Sequence, residues 1–96
     1  MKYNEVNNVK DAVLYIESTY NQHYVGGDSD GTQVLDLLNS IGIADTFCQA
    51  NAIKYVTRFG RKNGKNKKDL LKAIHYVLLL MYFSEENNNG ENSNEN

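Results

Sequence analysis

Residues suited to binding a phosphate-bearing ligand fall on one face of a predicted helix. They stand at i, i+3, i+4 and i+7, which is one stripe of an α-helix: Asn51, Lys54, Tyr55 and Arg58. Lysine and arginine neutralise phosphate, arginine in a bidentate way. The tyrosine ring can stack on a base or a sugar, and the asparagine amide can read a base edge or a hydroxyl. The alternative is an ordinary solvated helix face.

This stripe belongs to a basic segment, residues 54–72, that holds most of the positive charge. The segment has eight cations and one acid, net +7, whereas the remainder has two lysines and eleven acids, net −9. Such a cluster attracts anions whatever the total charge. Arg61, Lys62 and Lys65 extend the predicted phosphate site beyond the helix, while Lys67 and Lys68 supply a supporting field. The alternative is a solvated, lysine-rich loop.

A second stripe follows at the same spacing, formed by Asp69, Lys72, Ala73 and Tyr76. If the two helices pair as an antiparallel hairpin, the two faces adjoin. Asp69 would then orient the cations or hold Mg²⁺ together with the phosphates. Its alternative role is that of a capping-box acid for the second of these helices.

Other candidate residues lie outside the basic segment. His23, Tyr24, Gly26 and Gly27 could form a second part of the site, because glycines let backbone N–H groups approach a ligand, although Gly-Gly is also a plain loop. The two histidines have no Cys or carboxylate at ligand spacing, so no metal site made by the protein alone is predicted. We expect His75 on a helix surface or an interface.

Periodicity and capping residues predict an all-α fold of four helices. The first covers residues 9–21 with Asn8 and Asp11 as a capping box, and the second begins after Asp30 and stops near Gly42. The third and fourth form the antiparallel hairpin. The third covers residues 45–59 and ends at a left-handed Gly60, and the fourth runs from an Asn66 cap to about Glu85.

The apolar positions predict how these helices are covered. Phe47, Ala50, Ile53 and Val56 would be the buried side of the third helix, and Cys48 a small core residue. The fourth helix is apolar nearly all round, so we expect it to pack also against another subunit. Residues 1–85 form a single domain, and the Asn- and Glu-rich residues 86–96 a disordered tail.

Composition restricts the class of protein. A chain of 96 residues with a single cysteine cannot carry an intramolecular disulfide framework. No secretory signal is visible, and the longest apolar run, residues 77–83, is too short for a membrane span. We expect a cytoplasmic homo-oligomer that binds no membrane.

Three motifs between residues 23 and 80 carry a family resemblance. They read His23-Tyr24-Val25-Gly26-Gly27, then Asn51-Ala52-Ile53-Lys54-Tyr55-Val56-Thr57-Arg58-Phe59-Gly60-Arg61-Lys62, then Asp69-Leu70-Leu71-Lys72-Ala73-Ile74-His75-Tyr76-Val77. This pattern resembles small phage proteins of unknown-function domain family 3310, which include the P-loop-lacking nucleotide kinase of the T-odd coliphages. The first motif is one residue shorter than the family's, and residues 28–31 and the first helix look like additions.

The resemblance implies a helical, oligomeric phage protein that handles nucleotides without a P-loop, placed in the cytoplasm of the host cell. The leading hypothesis is a phage nucleotide-binding protein of the kinase-like type, in which Mg²⁺ would bridge the phosphates; the sequence leaves open whether it phosphorylates nucleoside monophosphates or only binds them. One alternative is a non-catalytic sponge that sequesters a nucleotide or a host defence signal. Another is a single-stranded nucleic-acid-binding module, which the acidic remainder of the chain disfavours.

Overall fold

The computed structural model describes the backbone of residues 2–25 and 30–95, and the side chains of residues 2–20 and 34–87. Four helices account for most of these residues, α1 (Glu5–Val25), α2 (Asp30–Ser40), α3 (Ala44–Arg58) and α4 (Lys67–Glu95). The described part of the chain contains no strand. The predicted all-α fold of four helices is confirmed.

The start of α1 differs from the prediction. The helix begins at Glu5, because Asn4 adopts a left-handed conformation (φ 63°) and its carbonyl accepts the N–H of Asn8 at 3.1 Å. Asn8 therefore lies inside the helix and does not cap it. Asn8 Oδ1 and Asp11 Oδ2 instead accept hydrogen bonds from Lys67 Nζ at 3.1 and 2.7 Å. The predicted capping box is wrong, and its residues tie the start of α1 to the start of α4.

Helices α3 and α4 form the predicted hairpin, and they make the most extensive contact in the fold. Gly60 adopts the left-handed conformation expected after α3 (φ +83°), and its N–H donates to Gly64 O at 3.0 Å. Asn66 caps α4, since its Oδ1 accepts the N–H of Lys68 at 2.9 Å. The turn of residues 59–66 thus brings α4 back along α3.

The buried side of α3 differs from the predicted one. Ala50, Ile53 and Val56 are exposed, and the residues that are buried on α3 are small: Ala44, Cys48 and Ala52. Small side chains let the two helices approach closely. Close packing against α4, and not the hydrophobicity of the individual side chains, therefore determines which face of α3 is buried. Cys48 is fully buried, as expected, and forms the core with Ala44 and Phe83 of α4.

Helix α2 covers one side of this core through Leu35 and Leu38. The sequence predicts an apolar stripe of Val34, Leu37, Leu38 and Ile41 here, but all of these except Leu38 are exposed. Gly42, in a left-handed conformation (φ +80°), lies in the middle of the short connection to α3. The core is consequently made from few and mostly small side chains.

Helix α4 continues to Glu95, beyond the end near Glu85 that the apolar pattern indicates. Disorder of the tail in solution stays a prediction. No helix in the described ranges is both long and apolar enough to span a membrane.

Candidate functional site

Three cations surround the ring of Tyr55. Lys54 Nζ lies 4.8 Å from the ring centroid, Arg58 Cζ 5.2 Å and Lys72 Nζ 5.1 Å. All three distances are within the range of cation–π attraction. Because Lys72 comes from α4 and the other two from α3, the predicted meeting of the two helix faces is confirmed. We call Lys54, Arg58 and Lys72 the cation cluster.

The Tyr55 ring is held in place by a second ring. It stacks on Tyr76 with a centroid distance of 5.9 Å and an interplanar angle of 8°, and Tyr76 in turn meets Phe47 edge-on at 6.2 Å. Burial raises the pKa of Tyr76 above its usual value, with smaller contributions that include Tyr55. Because Tyr76 already covers one face of the Tyr55 ring, the main role of this ring is to hold the three cations in position.

No acidic side chain in the described part of the chain neutralises the cation cluster. The ion pair found among the described residues joins Lys67 and Asp11, away from these three cations. Like charges gathered in this way raise the local positive potential, which favours an anionic ligand. The basic segment thus has a structural cation, Lys67, and a group of cations that no described acidic side chain pairs with.

An aromatic cavity of about 370 Å³ adjoins the cation cluster. Its walls come from all four helices, and Lys72 is the one charged side chain among the described lining residues. They are Tyr15, Thr19, Tyr20, Val34, Leu35, Phe47, Tyr55, Lys72, His75, Tyr76 and Leu79. A cavity with aromatic walls and a cation at one side suits a ligand with a flat apolar part and an anionic part.

His75 lies within this aromatic wall and is half-buried, so it is not a plain surface residue as one expectation had it, while a position at a subunit interface stays a prediction. Its ring centroid is 6.3 Å from Tyr15 and 6.1 Å from Tyr20. Burial lowers the pKa of His75, so the imidazole is neutral at pH 7. Its Nε2 is buried and has no hydrogen-bond partner among the described residues, a state that costs about 1–3 kcal/mol.

Asn51 and Asp69, the two other polar residues of the predicted stripes, are oriented by the helices themselves. Asn51 Nδ2 donates to Phe47 O at 3.0 Å, one turn earlier on α3. Asp69 is buried in the first turn of α4, with an exposed fraction of 6%. A carboxylate there is favoured by the helix dipole. Neither residue lines the cavity.

The remaining predicted site residues are in the turn or beyond the described side chains. Arg61, Lys62 and Lys65 are exposed in the 59–66 turn and do not line the cavity. His23 and Tyr24 belong to the backbone of α1, but their side chains lie outside the described residues. Gly26 and Gly27, the other two residues predicted for this part of the site, lie outside the described residues altogether.

Sequence reasoning missed the contribution of α1. Tyr15 and Tyr20 enter the cavity from a helix more than thirty residues away from the basic segment. Tyr20 continues the apolar stripe of the first helix, but for Tyr15 the sequence offers only a surplus of tyrosine, seven in 96 residues. Phe47 was assigned to the core alone, although it has both roles.

The family described as a protein of unknown function, DUF3310, matches residues 18–78. The match covers more than half of the 96 residues, and the chain belongs to this family. No curated protein and no solved structure matches it. The matched range includes the cation cluster and most of the cavity wall, whereas Tyr15 of α1 precedes it.

Proposed function

We propose that this DUF3310 protein binds a nucleotide, with the base in the aromatic cavity and the phosphates at the cation cluster. The observation that carries the proposal is the junction of the two features at Tyr55 and Lys72. Each of these residues lines the cavity, and Lys72 also lies 5.1 Å from the Tyr55 ring with Lys54 and Arg58. An aromatic slot beside cations that form no ion pair with a described acid matches the two halves of a nucleotide.

Size and chemistry support the same class of ligand. A cavity of about 370 Å³ falls at the lower end of the roughly 300–1,000 Å³ typical of small-molecule sites. Aromatic walls favour stacking on a base, which is worth about 1–3 kcal/mol. Because Tyr76 occupies one face of Tyr55, we assign base stacking to the other rings that line the cavity, among them Tyr15, Tyr20 and Phe47.

The cation cluster supplies the phosphate half of the site. Arg58 offers a planar fork for bidentate contact, and Lys54 and Lys72 act as point charges. The exposed Arg61, Lys62 and Lys65 of the neighbouring turn can extend along a longer phosphate chain. Asn51 remains a candidate for binding a sugar hydroxyl, through the amide groups that are not engaged in its hydrogen bond to Phe47 O.

Phosphoryl transfer is the leading enzymatic form of this proposal, in line with the kinase resemblance. It requires a second nucleotide and Mg²⁺, held mainly by the phosphates. The described residues contain no group of three acids, histidines or cysteines that could hold a metal ion. Asp69 is the acid of the basic segment, and it would contribute one ligand or orient a cation.

Sequestration without turnover is the second candidate, and the composition of the cavity favours it. The described residues that line the cavity include no carboxylate to act as a base or as a Mg²⁺ ligand. A protein that only holds a nucleotide or a nucleotide signal needs neither. Binding of single-stranded nucleic acid is a weaker candidate, since a small cavity suits one nucleotide better than a continuous strand.

A binding experiment with matched variants tests the proposal. Isothermal titration should detect at least one member of a panel of mono-, di-, tri- and cyclic nucleotides. Lys72→Gln and Arg58→Gln should each weaken that binding about tenfold or more, as expected for a charge-assisted contact. Lys68→Gln removes the same charge from an exposed position and is the control. The proposal fails if no nucleotide binds, or if the control loses as much affinity.

Turnover and strand binding are separated by two further measurements. Incubation with each common nucleoside monophosphate, ATP and Mg²⁺ should yield diphosphates if the protein is a kinase. Binding without transfer would leave sequestration as its function. Single-stranded DNA should bind more weakly than the preferred nucleotide, and equal retention of both ligands would contradict the mononucleotide assignment.

A further inference from the structure

We propose that His75 recognises the base of the bound nucleotide through a ring nitrogen, as a specificity-determining residue of the cavity. The inference rests on the proposed function and deepens it, because it concerns which part of the ligand the cavity reads. The cation cluster can hold the phosphates of any nucleotide, so selection of a base requires a polar group within the aromatic wall.

His75 is suited to that role by its position. It follows Lys72 by one helical turn on α4 and lines the same cavity, so a base can reach the histidine while the phosphates stay near the lysine. Tyr15 and Tyr20 of α1 pack around its ring at 6.3 and 6.1 Å, and Tyr76 lies beside it at 6.3 Å. The ring is therefore fixed within an aromatic surround.

The unpartnered nitrogen is the second observation. Nε2 of His75 is buried and, within the described residues, makes no hydrogen bond. A water molecule is a poor substitute, because a buried water needs two to four polar partners and this wall consists mostly of rings. A nucleobase carries ring nitrogens and exocyclic groups at its edge, and it can supply the missing partner while its faces meet the aromatic rings.

The imidazole can meet either kind of base edge. Burial keeps it neutral at pH 7, so one ring nitrogen donates a hydrogen bond and the other accepts one. The second side-chain torsion of histidine is broad and roughly two-fold. A half-turn of the half-buried ring can therefore carry a nitrogen toward the cavity without displacing the backbone of α4.

Affinity ratios test the inference. The preferred nucleoside monophosphate and ribose 5-phosphate, which lacks the base, are each titrated into the wild type and two variants. His75→Phe keeps a ring and removes both nitrogens, and it should reduce the preference for the nucleotide about tenfold. Affinity for ribose 5-phosphate should stay the same. His75→Gln restores a polar group near the position of Nε2 and should recover part of the preference.

Nitrogen NMR gives a readout that a merely structural role would not change. The chain has two histidines, so ¹⁵N-histidine labelling yields two sets of ring signals, and His23→Gln assigns them. The preferred nucleotide should shift the His75 nitrogens, whereas inorganic phosphate and ribose 5-phosphate should not. His75→Phe should fold, since it removes an unpartnered polar atom from a buried position.

The outcomes distinguish this inference from the proposed function. If the nucleotide binds through Arg58 and Lys72 but His75→Phe keeps the full base preference, the inference is wrong and the proposed function stands. Unchanged His75 nitrogen signals on binding would overturn it in the same way. If no nucleotide binds to the wild type, both fail together.

Discussion

The ring of Tyr55 attracts three cations that repel one another. Two substitutions separate the contribution of the aromatic ring from that of the hydroxyl group. Each exposed cation–π contact is worth about 0.5–1 kcal/mol, and the ring quadrupole that provides it does not depend on the hydroxyl. The structure therefore assigns the arrangement of Lys54, Arg58 and Lys72 to the aromatic ring of Tyr55.

Tyr55→Phe should bind nucleotide with nearly the affinity of the wild type, and Tyr55→Leu about tenfold more weakly. Leucine removes the attraction that gathers the cations and also the stacking on Tyr76, which is worth about 0.5–1.5 kcal/mol. Titration calorimetry measures the affinity, and urea unfolding checks that both variants are folded. Equal affinity of Tyr55→Leu and the wild type would show that the cations need no ring to hold them.

His75 makes the stability of the protein depend on pH. Burial lowers its pKa in the folded state below the usual 6.5, so the unfolded chain binds more protons between the two values. The groups that face the ring are Tyr15 and Tyr20 of α1, and Tyr76 beside it on α4. Burial raises the pKa of Tyr15 and Tyr76, so both phenols stay neutral at these pH values, and Lys72 is the charged side chain among the described residues that line the same cavity.

The free energy of unfolding should consequently fall as the pH drops below 6.5, by at most about 1.4 kcal/mol per pH unit from this one proton. His75→Phe should lack this part of the decrease, so the difference between the two proteins isolates the contribution of His75. Urea unfolding of the two proteins at pH 7.5, 6.5 and 5.5 measures the difference. Parallel curves would mean that His75 takes up its proton as easily in the folded protein as in the unfolded chain.

At the scale of elements, α1 depends on a polar contact at its start. Lys67 Nζ bonds both Asn8 and Asp11, with 55% of the Lys67 side chain and 46% of the Asp11 side chain exposed. Exposed ion pairs of this kind contribute about 0–1 kcal/mol. The contact matters because α1 carries Tyr15 and Tyr20 to the cavity.

Lys67→Ala should lower the free energy of unfolding by about 0.5–1 kcal/mol, and Lys68→Ala should have a smaller effect. The two lysines are neighbours with the same charge, and the side chain of Lys68 makes no hydrogen bond or ion pair with the described residues. Lys67→Ala should also weaken nucleotide binding through looser packing of α1. Chemical unfolding and nucleotide titration are measured for both variants. Equal losses of stability and affinity would mean that Lys67 contributes only its charge to the positive potential of the basic segment.

The helices could be predicted from local signals, and their faces only in part. Asn66 and Gly60 mark the ends of the hairpin turn through their own conformations, so sequence was sufficient there. The buried face of α3 could not be found in this way, because Ala44, Cys48 and Ala52 are selected by close approach to α4 while Ile53 and Val56 stay outside. The cavity needed α1, whose contribution depends on a long-range contact that local periodicity does not encode.

At the scale of the whole molecule, the described part of the chain buries few large apolar side chains. The buried apolar residues of the described part are four alanines, Cys48 and Phe83. Burying apolar surface yields about 25 cal/mol per Å², and alanine offers little of it. Helix α4 meanwhile exposes a stripe at i, i+3, i+4 and i+7 with exposed fractions of 40–53%, formed by Ile74, Val77, Leu78 and Met81.

We propose that this stripe of α4 packs against another copy of the chain, because a small domain gains most by burying its own surplus apolar face. The wild type should then elute in light scattering with a mass that is a multiple of 10.9 kDa. Leu78→Glu combined with Met81→Glu should shift it to the monomer and lower its melting temperature, since each carboxylate would be desolvated at the interface.

Thr57→Glu is the control for that experiment. It adds the same charged side chain at an exposed polar position of α3, and the assembly should keep its mass. A wild-type mass of 10.9 kDa would contradict self-association, and an assembly that tolerates both glutamates would place the interface elsewhere. Because none of the four stripe residues is among the residues that line the cavity, the monomeric variant should still bind nucleotide if it stays folded. Loss of binding in a folded monomer would instead show that a second copy completes the site.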